Sequence, residues 1–171
     1  LFDLGAESLL EPISEPRPIF RVTQYDPSHL ARRHRPGVHQ YLIARDALDA
    51  DVVLNLPKLK THHWAGVTLS LKNSVGLAAK RVPGNPHDFM RELHNSPDQR
   101  RMIAEINAAY RPDLVVLDGV EAFVTGGPDT GKLVRSGVVL AGTDRVAVDA
   151  VGVALLRYFG TTPEVSRGAI F

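Results

Sequence analysis

Hydrophobic and polar positions follow two periods along the chain, and the changes between them mark the elements. Asp51-Val-Val-Leu-Asn-Leu-Pro57 is a short apolar run stopped by a proline that cannot donate to a ladder, which predicts a buried strand over 51–57. Residues 58–63 (KLKTHH) then read as its exit loop. Leu114 to Leu117 predicts a second buried strand ended by Asp118-Gly119, and Val138 to Ala141 a third ended by Gly142-Thr143-Asp144. Met102, Ile103, Ile106 and Tyr110 recur at helical spacing, after Ser96-Pro97-Asp98-Gln99 and before Pro112. Ser96 and Gln99 form a capping box around a proline suited to the first helical position, so a helix is expected between them and Pro112. From Asp144 to Phe159 the chain is apolar nearly all round, predicting a buried helix capped by Thr143 and closed by Gly160.

The remaining segments are less regular. Residues 11–18 (EPISEPRP) read as an extended arm, Phe20 to Tyr25 as a short strand, Asp26 to Gly37 as a polar surface segment and Val38 to Ala44 as a strand. Residues 67–75 fit both periods, because Val67, Leu69 and Leu71 alternate while Val67, Leu71, Ser74 and Val75 share a helical face. Lys80 to Asn95 reads as an irregular excursion. Strands separated by helices predict an α/β fold with a mixed, mostly parallel sheet and helices on both faces. Lys132–Val134 is expected to pair as a hairpin strand, which makes the sheet mixed. The expected organisation is an N-terminal arm with edge strands over 1–49 and an α/β domain over 50–171. Because the first residue is Leu1, the chain is expected to be a piece of a longer polypeptide.

Composition narrows the function classes. The 171 residues carry 20 Lys+Arg against 19 Asp+Glu, a net charge of +1, which argues against bulk nucleic-acid binding. The chain has no cysteine, so disulfides, Cys-ligated zinc, a thiol nucleophile and an iron–sulfur cluster within this chain are excluded. This fits a cytoplasmic protein. No apolar stretch approaches the ~18 residues of a transmembrane helix, so no membrane partner is expected. The charge is unevenly spread: residues 1–16 have a net of −4, residues 17–101 a net of +7 and residues 102–171 a net of −2. The positive middle is where an anionic ligand would be drawn.

Candidate chemistry lies where strands are expected to end, since ligands of open α/β sheets bind outside the carboxyl ends of strands. Lys58, Lys60 and His62 alternate, so in extended chain they point one way and suit a phosphate or carboxylate. Lys72 and Asn73 sit in an apolar stretch bracketed by Gly66 and Gly76. Asp118, Thr143 and Asp144 mark the other two strand ends. If the three strands are parallel neighbours, these groups converge. The expectation is a binder of a small anion held by Lys58, Lys60, Lys72 and Asn73; whether it is an enzyme is left open, and in the enzyme reading His62 moves a proton, with Lys60 and Asp118 in the catalytic set. Gly126, Gly127, Thr143 and Asp144 would line the ligand, and His62, His87 and Asp118 would offer ligands to a divalent metal. Gly126 to Lys132 has the spacing of a phosphate loop but lacks the following Ser or Thr and continues into a strand, so that reading is rejected. Asp149, inside the apolar helix, needs a partner and is read as structural.

Four motifs in order resemble one family. Asn55-Leu-Pro-Lys-Leu-Lys-Thr-His62, Val67-Thr-Leu-Ser-Leu-Lys-Asn-Ser-Val-Gly76, Asp118-Gly119 with Gly126-Gly127-Pro128 and Gly131, and Gly142-Thr-Asp-Arg-Val-Ala-Val-Asp149-Ala are similar to the domain of unknown function 362 family, over residues 50 to 160. The resemblance implies no settled reaction. It does imply relatives that are longer and are often fused to ferredoxin-like modules with two four-iron clusters, from which this cysteine-free chain departs. A non-catalytic redox or cofactor-handling role, docking an iron–sulfur protein through the basic middle, is therefore the alternative to a small-anion enzyme.

Overall fold

The structure, a computed structural model, describes residues 2–3, 34–35, 38–78, 88–96 and 98–167. The expected arm over 11–18, the strand over 20–25, most of the polar segment over 26–37 and His87 lie outside the described residues. The chain divides into two compact units: Leu1–Ala50 with Ser74–Tyr110, and Asp51–Asn73 with Arg111–Phe171.

In the first unit, β1 (Phe2–Asp3) and β2 (His34–Arg35) both pair antiparallel with β3 (Val38–Tyr41), within the strand expected over 38–44. A short helix α1 (Arg45–Asp49) follows. A 3-10 turn over Ser74–Leu77 returns to β3's continuation, where Ala44 N–H donates to the Leu77 carbonyl at 2.8 Å. Two further helices lie among the unit's described residues. The segment read as irregular contains α3 (Phe89–Asn95), whose cap Asp88 accepts from Arg91 N–H. Helix α4 (Gln99–Ala108) buries the expected Met102, Ile103 and Ile106. The predicted capping box does not form: Asp98 occupies the cap position, and the Ser96 hydroxyl accepts instead from Asp98 N–H while Ser96 closes α3. Tyr41, fully buried, donates its hydroxyl to buried Glu105. Burial first, and then this carboxylate, push the phenol far above its ordinary range.

The second unit holds the sheet that carries the candidate chemistry. Its strands are β4 (Leu54–Asn55), β5 (Lys58–His62), β6 (Gly66–Thr68), β7 (Leu114–Phe123) and β8 (Leu133–Gly142). The α/β class and a mixed sheet, parallel at its centre, are as expected. Strands β4 and β5 lie in series along one edge of β7 and parallel to it, β8 runs antiparallel along the other edge, and β6 pairs antiparallel with β5. Between β4 and β5 the Pro57 carbonyl accepts from Asp118 N–H at 2.9 Å, so the proline interrupts donation without breaking the sheet. The ambiguous segment is both things in turn: β6, then the short helix α2 (Ser70–Asn73). Helix α5 (Arg145–Tyr158) packs on β7, β8 and β5, and α6 (Pro163–Arg167) packs on α5. Leu59, Leu69, Val115, Leu117, Ala122, Val124, Val148 and Leu156 form the core between sheet and helix.

Five expectations are corrected. Residues 58–62 are a strand, because Leu59 and Thr61 turn into the core and give the polar segment its anchor. The run over 51–57 is mostly uncovered: Asn55 and Pro57 face inward, whereas Leu54 is 57% exposed and Leu56 66%. Strand β7 continues through Asp118-Gly119 to Phe123, with a register shift between Gly119 and Glu121 absorbing the glycine. Helix α5 is buried only on the face of Val148, Asp149, Ala150, Gly152 and Leu156, and Val146, Val151 and Tyr158 are exposed. Its cap is Asp144, accepting from Val146 and Ala147 N–H, rather than Thr143, and it ends as expected with Gly160 in the left-handed region. Among the described residues, no helix is long and apolar enough to cross a membrane.

The turn after β7 depends on glycine. Gly127 has φ +72°, and a Cβ there would fall 1.9 Å from the Thr61 carbonyl oxygen. Gly160 has φ +81° with open space around it. Gly127→Ala is therefore expected to cost ~3 kcal/mol or more, from backbone strain plus a forced displacement, and Gly160→Ala only ~1 kcal/mol, from strain alone. Urea denaturation of the two variants against the parent checks the difference.

Candidate functional site

The chemistry gathers along β5 and the elements beside it. Lys58 and Lys60 are two apart in the strand and so share the face opposite to core-facing Leu59. Lys58 is in register with Asp118 on β7, and its ammonium donates to the Asp118 carboxylate at 2.8 Å. That hydrogen bond, followed by one from Val120 N–H, holds the Asp118 carboxyl below the usual carboxylate range. Both side chains are about half-exposed, 41% and 54%. Two of the groups expected to meet a ligand are thus paired with each other.

Lys60 lies opposite Thr68 on β6, and α2 starts two residues beyond Thr68. That brings Lys72 close enough to Lys60 for the two charges to oppose each other. Burial first, and the Lys60 ammonium second, hold the Lys72 amine below the ordinary lysine range. Among the described residues neither amine has a carboxylate partner.

The backbone that carries Lys72 is fixed at both ends by buried polar groups. Asp149, on α5, accepts from Ser70 N–H at 2.7 Å, from the Ser70 hydroxyl and from Leu71 N–H at 2.9 Å. Burial raises the Asp149 carboxyl above its ordinary value, against the pull of these donors and of Arg145. The structural reading of Asp149 is what the geometry displays. Asn55 donates from Nδ2 to the Ser70 carbonyl at 3.0 Å and accepts at Oδ1 from Asn73 Nδ2 at 2.8 Å. Asn73, expected to touch ligand, is thereby committed to Asn55. Sequence reasoning did not single out Asn55 or Ser70. The available signal was an asparagine within an apolar run, which must find partners if it turns inward.

The end of β5 carries an imidazole pair. His62 is buried and its Nδ1 accepts from Trp64 N–H at 3.2 Å and Ala65 N–H at 3.3 Å, so the neutral ring carries its proton on Nε2. Its Nδ1 lone pair closes the β5–β6 turn. His63 stacks on it with centroids 5.0 Å apart and donates from Nδ1 to the Gly127 carbonyl at 2.8 Å. Gly126 and Gly127 both have positive φ, and Gly127 presses its backbone onto Thr61, which gives these glycines a packing role.

The expected convergence of three strand ends does not occur. Because β8 is antiparallel, Gly142 pairs with Val115 near the start of β7, while Lys60 pairs with Phe123 at its end. Thr143 and Asp144 therefore lie at the far end of the sheet from His62, Gly126 and Gly127, and Asp144 is used as a helix cap. Of the proposed metal set, His87 lies outside the described residues, Asp118 faces Lys58 and His62 lies beyond in the turn; among the described residues no group of three or more His, Cys, Asp or Glu is placed to hold an ion.

The Lys58–Asp118 pair is too exposed to contribute much stability. A double-mutant cycle of Lys58→Ala and Asp118→Ala, read by urea denaturation, is expected to give a coupling of about 0.2–1 kcal/mol that shrinks with salt. Because the Asp118 pKa is lowered in the folded state, the coupling is present above the ordinary carboxylate range and is lost as pH falls through the lowered value.

Comparisons with known proteins agree with these motifs. A family model described as Domain of unknown function (DUF362) matches residues 7–154, starting well before the motifs quoted from residue 55 onward. The chain is similar to a thylakoid-associated protein of Synechocystis sp., sll1697, with 37% identity over 112 residues. That match covers 64% of this chain and 33% of the relative, so the chain spans about a third of that protein's length. No solved structure matches. With the model covering most of its length, this chain belongs to the DUF362 family.

Proposed function

We propose that this chain binds a small anionic molecule, through a carboxylate or phosphate group, at the edge of the sheet where Lys60 and Lys72 lie. The observation that carries the reading is the unbalanced pair. Lys58 has Asp118, but Lys60 and Lys72 oppose each other and have no carboxylate among the described residues. Two like charges held together by a fixed backbone are destabilising until an anion sits between or beside them. The anchoring of α2 by Asp149 and Asn55 supports the same reading, because it fixes the backbone from which Lys72 extends. His62 serves the site through the β5–β6 turn. Of the candidate metal ligands, Asp118 is engaged by Lys58 and His62 Nδ1 by the β5–β6 turn, and His87 lies outside the described residues.

Thermal unfolding in the presence of inorganic phosphate, phosphorylated metabolites and small carboxylates tests this. A ligand present at ~100 times its Kd adds about 2.7 kcal/mol and raises the Tm by several degrees. The shift is expected in the wild-type chain and lost in the Lys60→Ala, Lys72→Ala double variant. Equal shifts in both proteins would refute the assignment.

A further inference from the structure

The second half of β8 is an unprotected edge. Among the described residues β8 pairs only with β7. Asp118 N–H points the other way, to the Pro57 carbonyl, so Asp118 and its β8 partner Val139 form a non-hydrogen-bonded pair. The N–H and C=O of Val139, and by alternation those of Ala141, therefore face away from the sheet. Sheet edges are commonly blunted by charge, proline or a bulge. Here Arg135 and the bulge glycine, Gly137 with φ +65°, precede this stretch, and no charge follows until Asp144.

Helix α5 presents an unpartnered surface on the same side. Val148 lies over the end of β8, with its Cγ2 3.0 Å from where a Cβ on Gly142 would stand. Asp149, about 100° further round the helix, reaches Ser70 on the β5–β6 side. Turning from Val148 in the opposite sense by about 60–120° meets Val151, Tyr158, Ala147 and Ala154, on the β8 side. All four are exposed, Val151 by 48% and Tyr158 by 82%, and the stripe carries no charge.

We propose that this side of the molecule joins a second copy of the chain about a two-fold axis at Leu140. Strand β8 pairs antiparallel with its equivalent, and Val139 and Ala141 exchange backbone hydrogen bonds with Ala141 and Val139 of the second copy. Leu140 then faces Leu140 of the second copy as a non-hydrogen-bonded pair, and the bulge falls outside the paired stretch. Helix α5 runs back over the sheet from Gly142, with Val151 about 4.5 Å beyond Val148 and Leu140 about 7 Å before Gly142. Val151 is thus roughly level with the axis, and the two α5 stripes flank each other, Ala147 of one copy toward Ala154 of the other.

Charge selects a second copy over an unrelated strand. Lys132 and Arg135 stand at the start of β8 and Asp144 just past its end, so antiparallel pairing sets opposite charges side by side at both ends of the joint. The atoms for this are available. The Arg135 side chain is 88% exposed and meets Glu121 only through Nε. Asp144 caps α5 with Oδ1, and its Oδ2 has no partner among the described residues. A joint of one strand edge and one helical stripe is small beside the roughly 800 Å² per partner of a standard interface, so the dimer forms reversibly, at micromolar concentrations.

Sedimentation velocity of the full chain from ~1 to ~200 μM tests this and is expected to show monomer passing to dimer. Ala141→Pro deletes an outward N–H that the monomer does not use, and Val151→Glu charges an exposed helical position. Each is expected to weaken dimerisation about tenfold or more while leaving the urea midpoint of the monomer nearly unchanged. Asp144→Asn, which keeps the cap, is expected to weaken it less and to flatten its salt dependence. The natural chain has no cysteine, so register can be read by oxidation. Leu140→Cys is expected to link two copies, since facing residues of a non-hydrogen-bonded pair lie about 4.5 Å apart at Cα, and exposed Leu133→Cys is expected not to. A chain that stays monomeric throughout the range would overturn the proposal. So would a dimer that both Ala141→Pro and Val151→Glu leave intact, or one that is linked by Leu133→Cys and not by Leu140→Cys.

Discussion

The geometry of the candidate site depends on one buried carboxylate. Asp149 accepts three hydrogen bonds from Ser70 and Leu71, residues almost eighty positions earlier, and so ties α5 to the start of α2. Helix α2 has only four residues, too few to be stable alone, since a helix of that length scarcely pays its own nucleation. Its orphan N–H groups find their acceptor in a side chain delivered by another element. Hydrogen bonds to a charged group contribute about 1.5–3 kcal/mol each, against the desolvation that raises the carboxyl's pKa. The position of Lys72 is therefore a property of the packing between α5 and the β5–β6 edge.

The direction of β8 decides which groups can act together. Eight residues of β7 separate the point paired with Gly142 from the point paired with Lys60, a span of about 26 Å at strand rise. A parallel β8 would have brought Thr143 and Asp144 to the same end as His62. The hairpin puts them at the other end, where Asp144 has a sufficient role as the cap of α5. The chemistry that remains together is a short row of lysines on one strand and its neighbour, with Asp118 balancing only the first of them.

Much of this was legible in the residues, and the failures have a common cause. Helices α4 and α5 and the central parts of β7 and β8 are visible because their apolar spacing matches the period of the element. The role of Asp149 follows from placing a carboxylate in an apolar helix. Pairing direction leaves no trace in that spacing, so the convergence of Thr143 and Asp144 with His62 was inferred and does not occur. Burial was overestimated for Leu54, Leu56, Val146 and Val151 because an apolar side chain signals a preference, and only the neighbouring elements determine whether it is met. The opposite error befell Lys58 to His62, where polar residues on the outer face hid a strand anchored by Leu59 and Thr61. Partners distant in sequence, such as Asn55 with Ser70 and Asn73 or His63 with Gly127, needed coordinates.

The basic middle of the chain acquires a local meaning from this arrangement. Residues 17–101 carry an excess of seven positive charges, yet a diffuse excess would select no particular ligand. Lys58 is paired with Asp118, and Lys72 is partly buried on a turn whose backbone is tied at Ser70 and Leu71 by Asp149 and Asn55. Repulsion between Lys60 and Lys72 is thus maintained by contacts that lie outside the pair, in the core and in the Asn55 clamp. The structural carboxylate on α5 and the unbalanced amines at the sheet edge are in this sense one device: the first holds the second in a conformation that the amines alone would not keep.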